Sequence, residues 1–340
     1  MHRISLFLKS AGLTLAIIPL MWILSLGRYE RAEHWLRNVY FVKERRAEQI
    51  SGPKTLIVSG SNALFGFDSE ALERIIGQPV VNLAGHAGLA LSFHINLALK
   101  HAKAGDTVIM PLEFAYYAET SGLTSWQVAN MQSWGARYVD WDLPTLVSYF
   151  RNSSFSTLLL RTLIRRIPED PESKVLAAVE RNSITGIVSW HGYSYRSMNA
   201  RGDILVGEAG PAFVGPADYT RGELTQYALD QLGELKQTLE KRGARFLLTW
   251  PVSIRNEAFD LQSEPHRAIV DGLKGKLLSA GLPIICDAAN FQFDRSLFLE
   301  TRYHLGVLGA ELRTEALAAC LQHRPIDKSA AEARYLSKLR

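Results

Sequence analysis

Apolar residues fall along this chain in two rhythms. Short runs of apolar residues alternate with longer stretches in which such residues recur every three to four positions, the signature of strands alternating with helices. The pattern predicts strands at Thr55–Ser59, Val80–Leu83, Thr107–Pro111, Arg245–Trp250 and Pro283–Cys286. It predicts helices around Ser69–Ile76, Leu89–Lys103, Thr220–Arg242, Pro265–Ser279 and Leu305–Leu321. Short apolar strands separated by helices form a parallel sheet covered on both faces. The expected fold is α/β: a doubly wound, five-stranded parallel sheet in the order 2-1-3-4-5, with its site at the C-terminal strand ends beside the switch point.

Three regions depart from this alternation. Ile4–Leu26 is a mostly apolar stretch whose only charge is Lys9; at ~1.5 Å per residue it makes about 34 Å of helix, against a hydrocarbon core of about 30 Å. A transmembrane anchor is expected, with Lys9 snorkelling at one end and Pro19 tolerated. Ser25-Leu26-Gly27 also has the form of a cleavage site, so removal as a signal peptide is the competing reading. Residues 28–52 read as a juxtamembrane helix with a broken apolar stripe (Trp35, Leu36, Val39, Tyr40, Val42) and an Arg-rich face suited to solvent or anionic headgroups.

Between the third and fourth strands, residues 114–218 fit no β-α unit and read as a mostly helical insertion. Such an insertion overhangs the C-terminal strand ends, where a cap would select substrate. Its rings include Tyr116, Tyr117, Trp126, Trp134, Trp141, Trp190, Tyr193 and Tyr195, with His191 among them. Two readings stand for them: stacking on sugar faces, or forming the cap's own small core. The remaining divisions are the α/β domain proper, 53–113 with 219–324, and a short, polar, loosely held tail, 325–340.

Composition narrows the picture little. A chain of 340 residues, 47% hydrophobic and 21% charged, carries a full core. The net charge of +4, from 38 basic and 34 acidic residues, is too mild and evenly spread for a nucleic-acid surface. Cys286 and Cys320, at a strand end and within a helix, lack metal-ligand spacing and read as buried thiols that say nothing of redox compartment.

The strand ends carry the candidate chemistry. After the first comes Ser59-Gly60-Ser61-Asn62, a strand-to-helix turn that lifts the Ser61 hydroxyl clear and offers free N–H groups to an oxyanion. After the second comes Asn82-Leu83-Ala84-Gly85-His86-Ala87-Gly88, and after the third Pro111-Leu112-Glu113. The fifth ends at Asp287, and Glu300-Thr301-Arg302-Tyr303-His304 precedes the last helix. A serine, a glycine turn and a histidine with an acid supply a nucleophile, an oxyanion donor, and a base with its orienting partner. Asn62 and His86 have bland readings too, a turn residue and a structural hydrogen-bonding histidine. A metal site would draw on His86, Glu113 and His304, but no tight spacing supports one, and no metal or cofactor is expected.

Over residues 53–114 and 244–322 the sequence resembles the SGNH, or GDSL-like, hydrolase superfamily. It looks most similar to membrane-anchored members associated with polysaccharide and cell-envelope O-acylation, such as the alginate acetylation proteins and the teichoic-acid D-alanylation protein. The resemblance implies Ser61 as nucleophile, Gly85 as oxyanion donor and His304 as base, within a Tyr-His-Leu sequence followed by Gly309 and Arg313-Thr314. Three departures stand out. Gly60 replaces the family's aspartate before the serine, and Pro111-Leu112-Glu113 lacks the asparagine of the third block; a missing oxyanion donor costs on the order of 10²- to 10³-fold in rate. Thr301 stands where the family's aspartate precedes histidine, which leaves Glu300, Asp287, Asp294 and Glu113 as competing partners of His304, with Glu300 favoured because it shares the loop.

The implied function is a serine-dependent O-acyl, chiefly acetyl, esterase or acyltransferase acting on an envelope or exported polysaccharide. The alternative is a catalytically weak scaffold or glycan-binding subunit. The implied partners are a glycan, the membrane and a membrane acyl-donor protein; the implied location is the inner membrane, single-pass, with the catalytic domain periplasmic. The basic residues oppose that side: Arg28, Arg31, Arg37, Lys43, Arg45 and Arg46 follow the anchor, while only Arg3 and Lys9 precede it.

Overall fold

The computed structural model describes residues 2–25, 33–152, 163, 170–186, 192–205 and 213–339. Leu26, Gly27, Arg28, Arg31, Trp190 and His191, named in the expectations above, lie outside the described residues. The chain divides into two units, Met1–Arg37 with Gly122–Asp170, and Asn38–Ser121 with Pro171–Arg340.

The larger unit is α/β. Its sheet holds β1 (Thr55–Ile57), β2 (Val80–Asn82), β3 (Thr107–Pro111) and β4 (Arg245–Thr249) in the order β2-β1-β3-β4. All pairings are parallel, with Thr55 opposite both Val80 and Thr107, and Thr107 opposite Arg245. Leu56, Ile57, Val80, Val81, Val108, Ile109, Phe246 and Leu247 are all buried, as strands covered on both faces require.

The expected fifth strand is not one. Beyond β4, among the described residues, a single parallel bridge forms, Leu248 with Ile284, closed by Leu248 N to Pro283 O and Ile285 N to Leu248 O, both 2.9 Å. Two residues on, Cys286 takes a left-handed φ of 68° and is disulfide-bonded to Cys320, so the chain leaves the sheet edge. The two cysteines are therefore not thiols, and both are only half-buried. A short parallel pair outside the expectations, β5 (Ser253–Ile254) with β6 (Gln292–Phe293), lies further along the chain.

The helices of this unit are α2 (Trp35–Gln49), most of which belongs here, α3 (Ser61–Leu64), α4 (Ser69–Ile76), α5 (Leu91–His101) and α6 (Phe114–Tyr117). In the smaller unit follow α7 (Ser125–Asn130) and α8 (Leu143–Arg151); back in the larger one come α9 (Glu172–Thr185), α10 (Gln226–Lys241), α11 (Glu264–Ser279), α12 (Val307–Leu321) and α13 (Lys328–Leu336). Helix α10 starts at Gln226, not Thr220, because the Thr225 hydroxyl caps it by accepting from Ala228 N at 3.1 Å. Helix α2 is more than a linker: Val39, Tyr40, Val42 and Lys43 are buried, and Lys43 Nζ donates to Ala84 O at 2.5 Å.

The C-terminal segment is docked instead of loose. Asp327 caps α13, and the buried Glu332 accepts from Arg255 at 3.0 Å and from Asp294 N at 2.6 Å. Part of the insertion also belongs to the α/β unit: Arg201 O accepts from Asn82 N at the edge of β2, and Asp203 receives Ser69 N and Asn82 Nδ2, each at 2.9 Å.

The smaller unit holds α1 (His2–Ser25), whose Arg3–Met21 stretch, of mean hydropathy 1.8, is long and apolar enough to cross a membrane. Helix α7 begins at a capping box made by Thr124 and Gln127. Met21, Val128 and Tyr149 form this unit's core, with Leu123 and Trp141 packed against it. The rings here pack on one another: Trp134 with Tyr138 at 6.1 Å and Trp141 with Tyr149 at 5.8 Å.

Candidate active site

The Ser61 turn is held by a buried polar framework. Past β1 the backbone stays engaged, Val58 N donating to Ile109 O at 2.9 Å, and the chain then turns into α3 with Gly60 as N-cap. The Glu113 carboxylate, at the end of β3, accepts from Asn62 N at 3.0 Å and Gly60 N at 3.3 Å, with the Ser59 hydroxyl 3.1 Å away. A Cβ on Gly60 would stand 2.5 Å from Glu113 Oε1 and 2.7 Å from Ala87 Cα. No side chain fits at position 60, and the carboxylate beside the turn comes from Glu113.

Asn62 is a strut. Its Nδ2 donates to Ser59 Oγ at 3.0 Å and Pro111 O at 2.9 Å, while Oδ1 and the backbone O receive Arg313 Nη2 and Nη1 at 2.7 and 2.6 Å. With those atoms engaged and the residue wholly buried, Asn62 has nothing left to offer a substrate. Arg313 is itself fully buried and lies 4.2 Å over the Phe67 ring. Burial lowers its pKa to about 9, against the pull of Glu113, so it remains a cation at neutral pH. Next to it, Thr314 Oγ1 accepts from Asp68 N at 2.9 Å. The Arg313-Thr314 pair on α12 thus holds the turn at both ends of the segment Asn62–Asp68.

Ser61 is half-buried, and among the described residues no hydrogen bond engages its hydroxyl or its N–H. One helical turn on, Phe65 N donates to Ser61 O at 3.2 Å. Stacked on the Phe65 ring, at 4.2 Å between centroids and 22° between planes, is the imidazole of His304.

His304 stands at the end of a tight loop. Phe298 and Leu305 bridge antiparallel, Leu299 N donates to His304 O at 2.8 Å, and the Thr301 hydroxyl accepts from His304 N at 3.1 Å. Thr301 makes the turn, and Glu300 reaches the ring: its Oε1 is 2.9 Å from His304 Nδ1. The Tyr193 hydroxyl bonds the same carboxylate, and its ring meets His304 edge-on at 6.1 Å. With Nδ1 tied to Glu300, Nε2 is the nitrogen left to handle a proton.

Desolvation pushes the Glu300 carboxyl up, but the hydrogen bonds from His304 and Tyr193, with the attraction of His304, outweigh it and hold the pKa at about 2, below the ordinary 4.5. A depressed carboxyl stabilises the fold fully above its unfolded pKa and loses that contribution as pH falls through the folded one. Glu300→Gln should therefore flatten the acid limb of stability between about pH 4.5 and pH 2, measured as the difference in urea midpoint between the two chains across that window. Parallel acid limbs for the two chains would show that the Glu300–His304 contact does not hold in solution.

The other expected residues fall elsewhere. Gly85 is not an oxyanion donor: its N–H is spent on Ser59 O at 2.9 Å, and it is glycine because a Cβ would lie 1.8 Å from the Tyr40 hydroxyl. Asp287 does not meet His304; it pairs with Arg267 at 2.8 Å and caps the turn at Ala289. Asp294 caps Ser296 N at 2.9 Å. Asn82 is consumed within the fold, donating to Ala63 O and Asp203 and accepting from Ala84 N. His86 Nδ1 accepts from Gly88 N at 2.9 Å.

His86, Glu113 and His304, each with partners of its own, are not gathered as metal ligands. The group among the described residues with ligand atoms close enough for an ion is Glu44, Glu48 and His101, where Glu44 already contacts His101 Nε2 at 3.2 Å and pairs with Lys100. Arg313 enters only within the motif that carries the resemblance, with no role, and neither its bonds to Asn62 nor the bond from Tyr193 to Glu300 was expected. A charge at an apolar-face position of a core helix, flanked by Leu312 and Ala316, is the signal that marks Arg313, since a buried charge needs partners. No family model matches the chain and no curated protein matches it in sequence, so its chemistry rests on the residues themselves.

Proposed function

We propose that this chain is a membrane-anchored, SGNH-like serine O-acyl esterase or acyltransferase acting on an envelope or exported polysaccharide. The observation that carries the reading is the Glu300–His304 pair stacked through Phe65 onto the turn that presents Ser61. In this reading His304 Nε2 takes the proton from Ser61 Oγ as the oxygen attacks an ester carbonyl, and Glu300 holds the imidazole. The Ser61 N–H stabilises the oxyanion. The alcohol leaves with the proton returned by His304, and the acyl group on Ser61 passes to water or to a sugar hydroxyl. The sheet order β2-β1-β3-β4, with one further parallel bridge beyond β4, is consistent with an SGNH sheet whose last strand has shrunk.

Placement outside the cytoplasm draws support from the Cys286–Cys320 disulfide, because such bonds persist in oxidising compartments. This reading sets α1 as a single-pass anchor in the inner membrane, against the count of basic residues that follow it. A membrane protein that hands over acyl groups is the partner it implies.

A second reading has its own observations. With the Gly85 N–H occupied and the Glu113 carboxylate on the N–H groups of Gly60 and Asn62, negative charge sits beside the place where an oxyanion would form. A weak or inactive relative that binds glycan would tolerate this. Acetate release from p-nitrophenyl acetate and from acetylated oligosaccharide separates the two. Turnover of either supports the enzyme; glycan binding with no turnover moves the chain to the second reading.

A further inference from the structure

Helix α8, in the smaller unit, is inside out for a helix facing water. Leu143, Val147 and Phe150, at i, i+4 and i+7, share one face and are 73%, 41% and 42% exposed. The opposite face is the packed one: Tyr149 is wholly buried, and the Ser148 hydroxyl accepts from Leu123 N at 2.7 Å. The helix is properly formed, with Asp142 accepting from Thr145 N at 2.8 Å at its start and Arg151 in its last turn.

Its position says what covers that face. Tyr149 packs in one cluster with Met21, the last residue of the apolar Arg3–Met21 stretch of α1. Helix α8 is thereby fastened to the C-terminal part of α1, about one turn before its end at Ser25, close to where hydrocarbon gives way to headgroups when α1 crosses a bilayer. Trp141, packed against the same cluster, is the residue type that favours that level. A helix with an uncovered apolar face at such a depth has lipid beside it.

We propose that α8 is a second membrane contact, bedding Leu143, Val147 and Phe150 into the interface of the leaflet at the Met21 end of α1. A single spanning helix leaves the unit attached to it free to roll and tilt; a second contact removes that freedom. The proposal goes beyond the acyl-transfer reading and needs only that α1 crosses the bilayer.

The test uses the full chain in vesicles of phosphatidylethanolamine and phosphatidylglycerol. Neither cysteine is a free thiol, so single substitutions Leu143→Cys, Val147→Cys and Phe150→Cys each take one nitroxide label without reductant. Leu13→Cys on α1 and Glu240→Cys on an exposed helical face serve as references for lipid and water. Accessibility to molecular oxygen at positions 143, 147 and 150 is expected to exceed accessibility to a water-soluble nickel complex several-fold, as at position 13 and unlike position 240. Greater access to the nickel complex at the three sites, with position 13 still in lipid, would overturn the proposal while leaving the anchor intact. Shielding from both reagents would overturn it in favour of a protein partner or a second copy on this face. Nickel access at position 13 as well would overturn anchor and proposal together.

Discussion

Ser61→Ala and His304→Ala are each expected to lower acyl-ester turnover on the order of 10⁴- to 10⁶-fold, with no further loss when combined. The size follows from their acting as one unit. Without Ser61 Oγ there is no covalent path, and without His304 Nε2 the hydroxyl keeps its proton, so removing either removes the same step. Glu300→Gln should cost less, about 10²- to 10⁴-fold, because the amide still holds the ring in place but no longer stabilises the imidazolium. Asp287→Asn should leave turnover near wild type, since that carboxylate pairs with Arg267. The measurement is the rate of p-nitrophenol and acetate release by wild type and the five variants, the Ser61/His304 double variant included. A Ser61→Ala chain as fast as wild type would remove the nucleophile; additive losses in the double variant would mean that the two residues act separately.

The α/β alternation was legible because its cause is local. Leu56-Ile57-Val58 and Val108-Ile109-Met110 are apolar on both faces, and only a sheet covered on both faces buries them so. The fifth strand was not legible. Pro283–Cys286 has strand composition, but its fate depends on a bond to Cys320 and a left-handed turn at Cys286, and neither leaves a mark in a hydrophobic pattern. The C-terminal segment misled for a similar reason. Its polarity reads as loose chain until Glu332 is seen to be buried against Arg255 and Asp294 N.

For the site, chain proximity was the useful signal. Glu300 lies four residues before His304, so the loop that carries one must carry the other, whereas the place of Asp287 depends on where a distant strand end points. What sequence could not show is who consumes each N–H. Gly85 has the composition of an oxyanion donor, but its amide continues the β1–β2 ladder. Glu113 stands where a neutral asparagine would be expected from the resemblance, and the buried cation that its charge acts on, Arg313, is remote in sequence.

That interaction makes Arg313 the residue whose loss should cost the fold most. Arg313→Met keeps much of the volume but leaves Asn62 O and Oδ1 without their donors and Glu113 without its counter-charge. Breaking one side of a buried charged arrangement costs about 3–5 kcal/mol, to be read as a loss of unfolding free energy in urea. Arg313→Lys should recover little, because one ammonium cannot span the two oxygens that a planar guanidinium bridges. Adding Glu113→Gln to Arg313→Met should return part of the loss, since the double change removes the stranded charge while its amide oxygen still accepts from the turn. The fold-level cost has a functional counterpart. The same bonds set the backbone on which Ser61 stands, so Arg313→Met is expected to lose ester turnover even at temperatures where it remains folded. An Arg313→Met chain within about 1 kcal/mol of wild type would be more stable than the buried-charge argument permits, and the hub beneath Ser61 would have to be redrawn.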